Sequence, residues 1–287
     1  MEVADPDRTA VFERHRGRLF GIAYRMLGSV TDAEDVLQDA WLKWNRADGQ
    51  VARPAAYLAR TVTNLSLDRV SSAAAQRERY VGPWLPEPLV AGATPDVADE
   101  VERAESVSLA MLVVLESLSP LERAVFILRE VFGYPHREIA EALGRSEAAV
   151  RQLASRARSH VEARRPRFDT SADEQRRVTE EFLAACVGGD LGRMMELLAP
   201  DVDIWIDGGG RVPGPRRGVR GADQAARGVL AVLGRPGVET VLTLVNGRPG
   251  VLVTVDGVAD CVASLEVAGG RITEVRVIRN PDKLRHL

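Results

Sequence analysis

From Gly133 to Phe168 the chain reads GYPHREIAEALGRSEAAVRQLASRARSHVEARRPRF, two short amphipathic stretches separated by one glycine. In the first, Ile139, Ala140 and Leu143 fall at helical spacing, leaving His136, Arg137, Glu138 and Glu141 on the other side. Gly144 follows the last apolar residue, where a left-handed backbone costs glycine little, so a helix should stop there. Ser146 is placed to cap the next helix by accepting from amides that lack a partner. Val150, Leu153, Ala157 and Val161 then form an apolar stripe, and Arg151, Gln152, Ser155, Arg156 and Arg158 face outward.

Two short helices joined through a glycine turn, the second bearing arginines and amides, match the requirements of a helix-turn-helix that seats a helix in the DNA major groove. Arginine can offer two donors to a guanine edge or neutralise a phosphate. Residues 145–167 hold seven arginines against two glutamates, a local +5 on a chain whose net charge is −3. A solvated basic face on an ordinary helical hairpin has the same pattern, so this stretch by itself leaves both readings open.

A chain of 287 residues can bury a large core, and its length suggests about two domains. Its content, 45% hydrophobic and 28% charged, is that of an ordinary globular protein, so any nucleic-acid contact must be local. No apolar run is long enough to span a membrane, and MEVADPDRTA lacks a basic stretch followed by an apolar one, so a cytoplasmic location with no membrane partner is expected. Cys186 and Cys261 lie in apolar settings without a Cys/His cluster, which points to buried thiols and to no metal site.

Phe12 to Trp44 reads as two helices. The first carries Leu19, Phe20, Ala23, Tyr24 and Leu27 on one face and stops near Gly28. In the second, capped by Thr31 with Glu34 closing a capping box, Ala33, Val36, Leu37, Ala40 and Trp44 turn inward. Pro54 opens a third helix, with Leu58, Val62, Leu65 and then Asp68 or Arg69 along one side and Tyr57, Arg60, Thr61 and Asn64 on or near the opposite one. An amide and an aromatic beside arginine can hold unstacked bases, although a plain surface helix reads the same way. Residues 87–105 carry six acids against Arg103 and read as a linker, extended at first and helical from about Asp96. The tryptophan of WLPEP (Trp84 to Pro88), set among prolines, needs a folded surface on which to dock. Ser106–Leu118 and Pro120–Phe132 give two further helices, the latter with Ser119 and Glu122 as capping box. Beyond Pro166 come helices within Asp173–Leu198 broken at Gly188-Gly189, a strand with Val202, Ile204 and Ile206 on one face, and a helix over Ala222–Leu233. Four strand signals follow from Glu239 to Ile278. Helices followed by a mainly antiparallel sheet make this part α+β, able to enclose a pocket.

TDAEDVLQDAWLKW, RPAAYLARTVTNLSLDR, LSPLERAVFILREVFGY and HREIAEALGRSEAAVRQLASRAR occur in that order. Together they resemble a sigma factor of the extracytoplasmic function class. The carboxyl-terminal part resembles a SnoaL-like domain, with WLPEP, DGGG and NPDKL similar to the subgroup carrying that extension. There the loop ends in lysine, and here Arg211 stands in its place with the same charge. The resemblance implies a multidomain chain: two all-α sigma domains, the second with the helix-turn-helix, then a cone-shaped α+β barrel. Residues 8–80 would be region 2, 81–105 the linker, 106–167 region 4 and 173–287 the SnoaL-like domain. The implied partners are core RNA polymerase and promoter DNA, with promoter recognition as the function. Asp32, Glu34, Asp35, Gln38 and Asp39 would meet polymerase. Tyr57, Arg60, Asn64 and Arg69 would grip the melted −10 strand. Arg151, Gln152, Ser155, Arg156 and Arg158 would face the −35 groove.

SnoaL-like folds also serve enzymes, but residues 173–287 hold a single histidine, His286, and Asp203, Asp207, Asp256 and Asp260 read as solvated or capping carboxylates, so no catalytic residue and no cofactor are expected. The expectation is regulation in cis. Asp207, Gly208, Gly209, Gly210 and Arg211, with Asn280, Pro281, Asp282 and Lys283, would meet the linker at Trp84, Leu85, Pro86, Glu87 and Pro88. Arg211 and Lys283 would pair with linker carboxylates. An unidentified small ligand is a candidate partner. The alternative is a ligand-sensing helix-turn-helix regulator, or a SnoaL-like enzyme fused to a DNA-binding module.

Overall fold

The computed structural model describes residues 8–47, 51–77, 80–92, 108–164, 170–212 and 218–287, with side chains of 71–77 excepted. The expected helical onset near Asp96 lies outside the described residues. The chain divides into two compact units.

The first unit holds α1 (Arg8–Leu27), α2 (Val30–Asn45) and α3 (Pro54–Arg77). It also holds residues 111–116 of α4 (Leu109–Glu116), α5 (Pro120–Phe126), α6 (His136–Leu143) and α7 (Glu147–Arg164). Leu19, Phe20, Ile22, Ala23 and Met26 of α1 are buried, as are Val36 and Leu37 of α2 and Leu58 and Val62 of α3. Leu65 is only half-buried. Thr63, Ser66 and Val70 are buried with Leu58 and Val62 instead. A threonine hydroxyl tolerates this because it bonds backwards within the helix, Thr63 Oγ1 to the Ala59 carbonyl at 2.7 Å.

The cap of α2 differs from the expectation. Gly28 takes φ +68 and ends α1, so Ser29, extended at φ −132, is the first hydroxyl to reach an orphan amide and accepts from Asp32 N at 3.1 Å. Thr31 lies inside the helix. The expected Ser119–Glu122 capping box of α5 is present. Its continuation is a π-helical segment, Ile127–Val131, for which neither periodicity nor composition gives a signal. Gly144 takes φ +61 as the left-handed stop of α6.

Arg123 joins the two halves of this unit. Only 2% exposed, it donates to the Met26 carbonyl at the end of α1 at 2.7 Å and pairs with Glu116 of α4 at 2.9 Å.

The second unit contains residues 80–92 and everything described from Thr170 onward. Helices α8 (Ala172–Gly188), α9 (Leu191–Leu197) and α10 (Ala222–Leu233) pack on a six-stranded sheet of order β2-β1-β6-β5-β4-β3. The strands are β1 (Leu198–Asp207), β2 (Val219–Arg220), β3 (Val238–Val245), β4 (Arg248–Val255), β5 (Val258–Ala268) and β6 (Arg271–Ile278). All neighbours are antiparallel except β1 and β6, whose parallel register sets Ile204 opposite Val275 and Asp207 opposite Ile278. Asn246-Gly247, Asp256-Gly257 and Gly269-Gly270 all have positive φ at both positions, the two-residue turns that match strand twist. Val178, Phe182, Met194, Val202, Ile204 and Leu265 centre the core.

Replacing Arg123 with Met should destabilise the helical unit by about 3 kcal/mol, because it removes the donor to the Met26 carbonyl and a buried cationic partner of the Glu116 carboxylate. The midpoint of urea unfolding followed by helical circular dichroism measures this. An unchanged midpoint would show that Arg123 is not the joint.

Candidate DNA-binding faces, linker clamp and cavity

On α7, Val150, Ala154, Ala157 and Val161 are buried, Leu153 is half-buried, and Arg151, Gln152, Ser155, Arg156 and Arg158 are exposed. Ser146 Oγ accepts from Ala149 N at 3.2 Å and starts the helix. Three of these arginines rest on carboxylates: Arg151 on Glu147 (2.6 Å), Arg156 on Glu122 (3.0 Å) and Arg158 on Glu130 (2.7 Å). Each guanidinium is more than half exposed, so such pairs contribute at most about 1 kcal/mol and exchange readily for another anion. Glu122 is held below the usual carboxylate range, first by the Ser119 hydroxyl and, more weakly, by Arg156.

The acidic side of α2 is also outward, with Asp35, Gln38 and Asp39 exposed and Asp32 and Glu34 half-exposed. Glu34 pairs with Arg16 at 2.7 Å. Arg69 belongs to this face: it donates to the Asp32 carbonyl (3.2 Å) and pairs with Asp35 (3.1 Å). Tyr57, Arg60 and Asn64 succeed one another at helical spacing, whereas Arg69, five residues after Asn64, projects from a different side of α3. The four residues expected together are therefore split.

The Tyr57–Asn64 face meets α6. Asn64 Nδ2 donates to the Ala142 carbonyl at 3.4 Å, and Arg53 pairs with Glu138 at 2.5 Å. Arg60, exposed at its tip, lines a small crevice with Tyr134, Glu138 and Ala142. The ring of Tyr57 leans on Trp44 with centroids 5.8 Å apart. Arg53 and Glu138 were not singled out from the sequence, because 85 residues separate them and each alone reads as surface charge.

In the second unit, Leu85 through Val90 are buried against the sheet domain. Asp207, 0% exposed at the end of β1, is the focus. Its Oδ1 accepts from the Tyr80 hydroxyl (2.5 Å) and Gly209 N (3.1 Å). Its Oδ2 accepts from Leu85 N (2.8 Å) and Lys283 Nζ (2.8 Å). Lys283 also donates to the Leu85 carbonyl, and its ammonium lies 4.2 Å from the Trp84 ring centroid. Asn280 Nδ2 donates to the Tyr80 hydroxyl at 2.8 Å. Burial first, then the Asp207 carboxylate, pushes the Tyr80 phenol well above its usual range, so it stays protonated and donating. Further on, Val90 bridges Val245 antiparallel, Leu89 exchanges hydrogen bonds with Asn246, and His286 Nε2 meets the Pro88 carbonyl at 2.8 Å. Gly209 is required as glycine: at φ +59, a Cβ would come within 2.3 Å of Asn280 Nδ2.

Arg211 pairs with Asp282 (3.2 Å) and Lys283 with Asp207 (2.8 Å), so acids of the carboxyl-terminal unit meet both cations, and Lys283 also reaches the linker at the Leu85 carbonyl and the Trp84 ring. The linker acids from Asp96 to Glu105 lie outside the described residues. Tyr80, just ahead of WLPEP, was missed. A tyrosine beside a docking tryptophan was the available signal.

Between the sheet and helices α8 and α10 lies a cavity of about 300 Å³. Phe182, Ile204, Val229, Val253, Leu265 and Val275 represent its walls, and Gln224 and Arg279 are its polar side chains besides two thiols. Burial pushes Cys186 and Cys261 up to about 12, so both stay neutral. Among the described residues there is no metal-ligating cluster, and no helix is long and apolar enough to cross a membrane.

The family description "Sigma-70 region 2" matches residues 11–76 and "Sigma-70, region 4" matches residues 108–161. The "ECF RNA polymerase sigma factor SigJ" of Mycobacterium tuberculosis is 42% identical over 99% of this chain and 93% of its own length. The "Probable ECF RNA polymerase sigma factor SigI" of the same species is 34% identical over 96% and 94%. The crystal structure of the M. tuberculosis extracytoplasmic function sigma factor SigJ aligns with a TM-score of 0.78 at 38% identity, covering 97% of this chain and 98% of that one. A regulator with only a helix-turn-helix would not match region 2. Two sigma regions in order, with relatives that also span the α+β part, mean that this chain belongs to the extracytoplasmic function family of RNA polymerase sigma factors.

Proposed function

We propose that the exposed face of α7 reads the −35 element, that Tyr57, Arg60 and Asn64 hold the melted −10 strand, and that the acidic face of α2 docks on core polymerase. We further propose that the carboxyl-terminal unit sets promoter recognition in cis by gripping the linker. The Asp207 clamp carries this last reading: a buried carboxylate whose donors include Tyr80, directly ahead of the linker, and Leu85 within it. A linker segment held at 80–92 has less freedom to lose when two DNA-reading regions must engage one promoter, because their effective concentration is set by the connection between them.

The α7 arginines are suited to phosphate and guanine because their present carboxylate partners are cheaply exchanged. The α3 face is suited to a single strand once α6 withdraws, since Asn64 and Arg60 now meet it. Arg69, bonded across to α2, supports the polymerase-facing surface by holding Asp35.

Three outcomes check these assignments. Asp207→Asn, or truncation after Asn280, should lower promoter-dependent transcription with core polymerase by about fivefold or more, within the usual span of coupling free energies. Unchanged or raised output would contradict a clamp that pre-organises the linker. Arg156→Ala should weaken duplex promoter binding and reduce its salt slope by about 0.9, while Asn64→Ala should leave closed complexes intact and impair opening. Equal effects of the two on both complexes would undo that division. Asp35→Ala with Gln38→Ala should reduce co-purification with core polymerase, and intact association would move the docking face elsewhere.

A further inference from the structure

The cavity of the carboxyl-terminal unit has no use in promoter recognition as described, yet it is built like a small-molecule site. Its roughly 300 Å³ is lined by aliphatic and aromatic side chains from α8, α10 and one face of the sheet. At about 30 Å³ for each water-sized group, it holds on the order of ten heavy atoms. Its thiols are neutral, and among the described residues its lining offers no carboxylate or imidazole, so it suits binding rather than proton transfer.

The polar end is asymmetric in charge. Arg279 lines the cavity and pairs with Asp260 at 3.0 Å, but Asp260 also pairs with Arg235 at 3.3 Å, so two guanidinium groups share one carboxylate. The Nε–H of Arg279 is buried without an acceptor. An apolar body with one anionic end would complete both the packing and the charge. On α10, Gln224 and Gly228 line the cavity, are exposed, and sit one turn apart, which makes this edge the candidate entrance. A Cβ built at Gly228 meets nothing within 4 Å.

The cavity also adjoins the clamp. Ile206 and Arg279 line it, and their chain neighbours are Asp207 and Asn280, the residues that hold Tyr80. Arg279 N donates to the Asp207 carbonyl at 2.7 Å, tying the two strand ends together. We infer that this cavity is a binding site for a medium-chain apolar monocarboxylate, and that its occupation alters the hold of Asp207 and Asn280 on the linker. The coupling half rests on the regulatory reading above.

Decanoate is the probe, with 1-decanol and decyltrimethylammonium as the neutral and cationic comparisons, each titrated calorimetrically into the full-length chain. Decanoate should bind saturably at one site, at least tenfold tighter than the cation. Gly228→Phe should abolish binding by plugging the entrance, with helical circular dichroism unchanged. Arg279→Met should cost decanoate about tenfold and leave decanol unaffected, which keeps the site testable should the first variant misfold. Amide exchange of a peptide spanning 80–92 should change several-fold on saturation. Absence of saturable binding, binding indifferent to both substitutions, or preference for the cation would overturn the site. Binding with unaltered exchange of 80–92 would overturn the coupling. A transcription defect in Asp207→Asn without decanoate binding sinks this inference alone. Binding that shifts exchange while Asp207→Asn transcribes normally supports the site and removes the regulatory reading.

Discussion

The Asp207 carboxylate has been taken wholly out of water, and the second unit is arranged to make that tolerable. Burying an ionised carboxylate costs several kcal/mol unless its lone pairs are met by donors. Here four donors meet them, and they come from three places: the linker, the adjoining glycine turn and the carboxyl-terminal tail. No one of these segments can leave without stranding a charge, so strand end, linker and tail behave as one element. Lys283 reinforces this by donating at once to the loop carboxylate and to the linker backbone, beneath the Trp84 ring.

The first unit uses charge in the opposite way. Its exposed arginines on α7 rest on glutamates that hold them in place but contribute little, which leaves them free to exchange for phosphate. The buried pair of Arg123 with Glu116, together with the Met26 carbonyl, is the fixed joint. Between these extremes lies the contact with α6 made by Asn64 of α3 and by Arg53, the residue before that helix. It is polar, partly solvated and modest in strength, as a surface must be if it is to open and admit another partner.

Much of this was legible in the chain because it is written in local patterns. The glycine stop at Gly144, the outward residues of α7, the α2 face and the span of α10 follow from helical spacing and turn chemistry. The need for Trp84 to dock followed from an aromatic ring among prolines. Two features were not readable, and a third, the side of Arg69, was legible in the spacing but set aside. Ser29 rather than Thr31 caps α2 because Gly28 closes α1 one residue before it, a choice between neighbouring hydroxyls decided by backbone angles. Arg69 was grouped with Tyr57 and Asn64 by resemblance, although five residues of helix carry it to another side. The acid partner of Lys283 is Asp207, 76 residues away, and such a pairing is set by the parallel register of β1 and β6. Local periodicity carries no trace of that register.

The cooperative hold of Asp207 and Lys283 on the linker is the central claim, and a double-mutant cycle read out as promoter-dependent transcription with core polymerase tests it most directly. If both side chains act through one clamp, Asp207→Asn combined with Lys283→Met should reduce output no further than either change alone, leaving an interaction term of about 1–3 kcal/mol. Independent, multiplicative effects of the two substitutions would contradict the account.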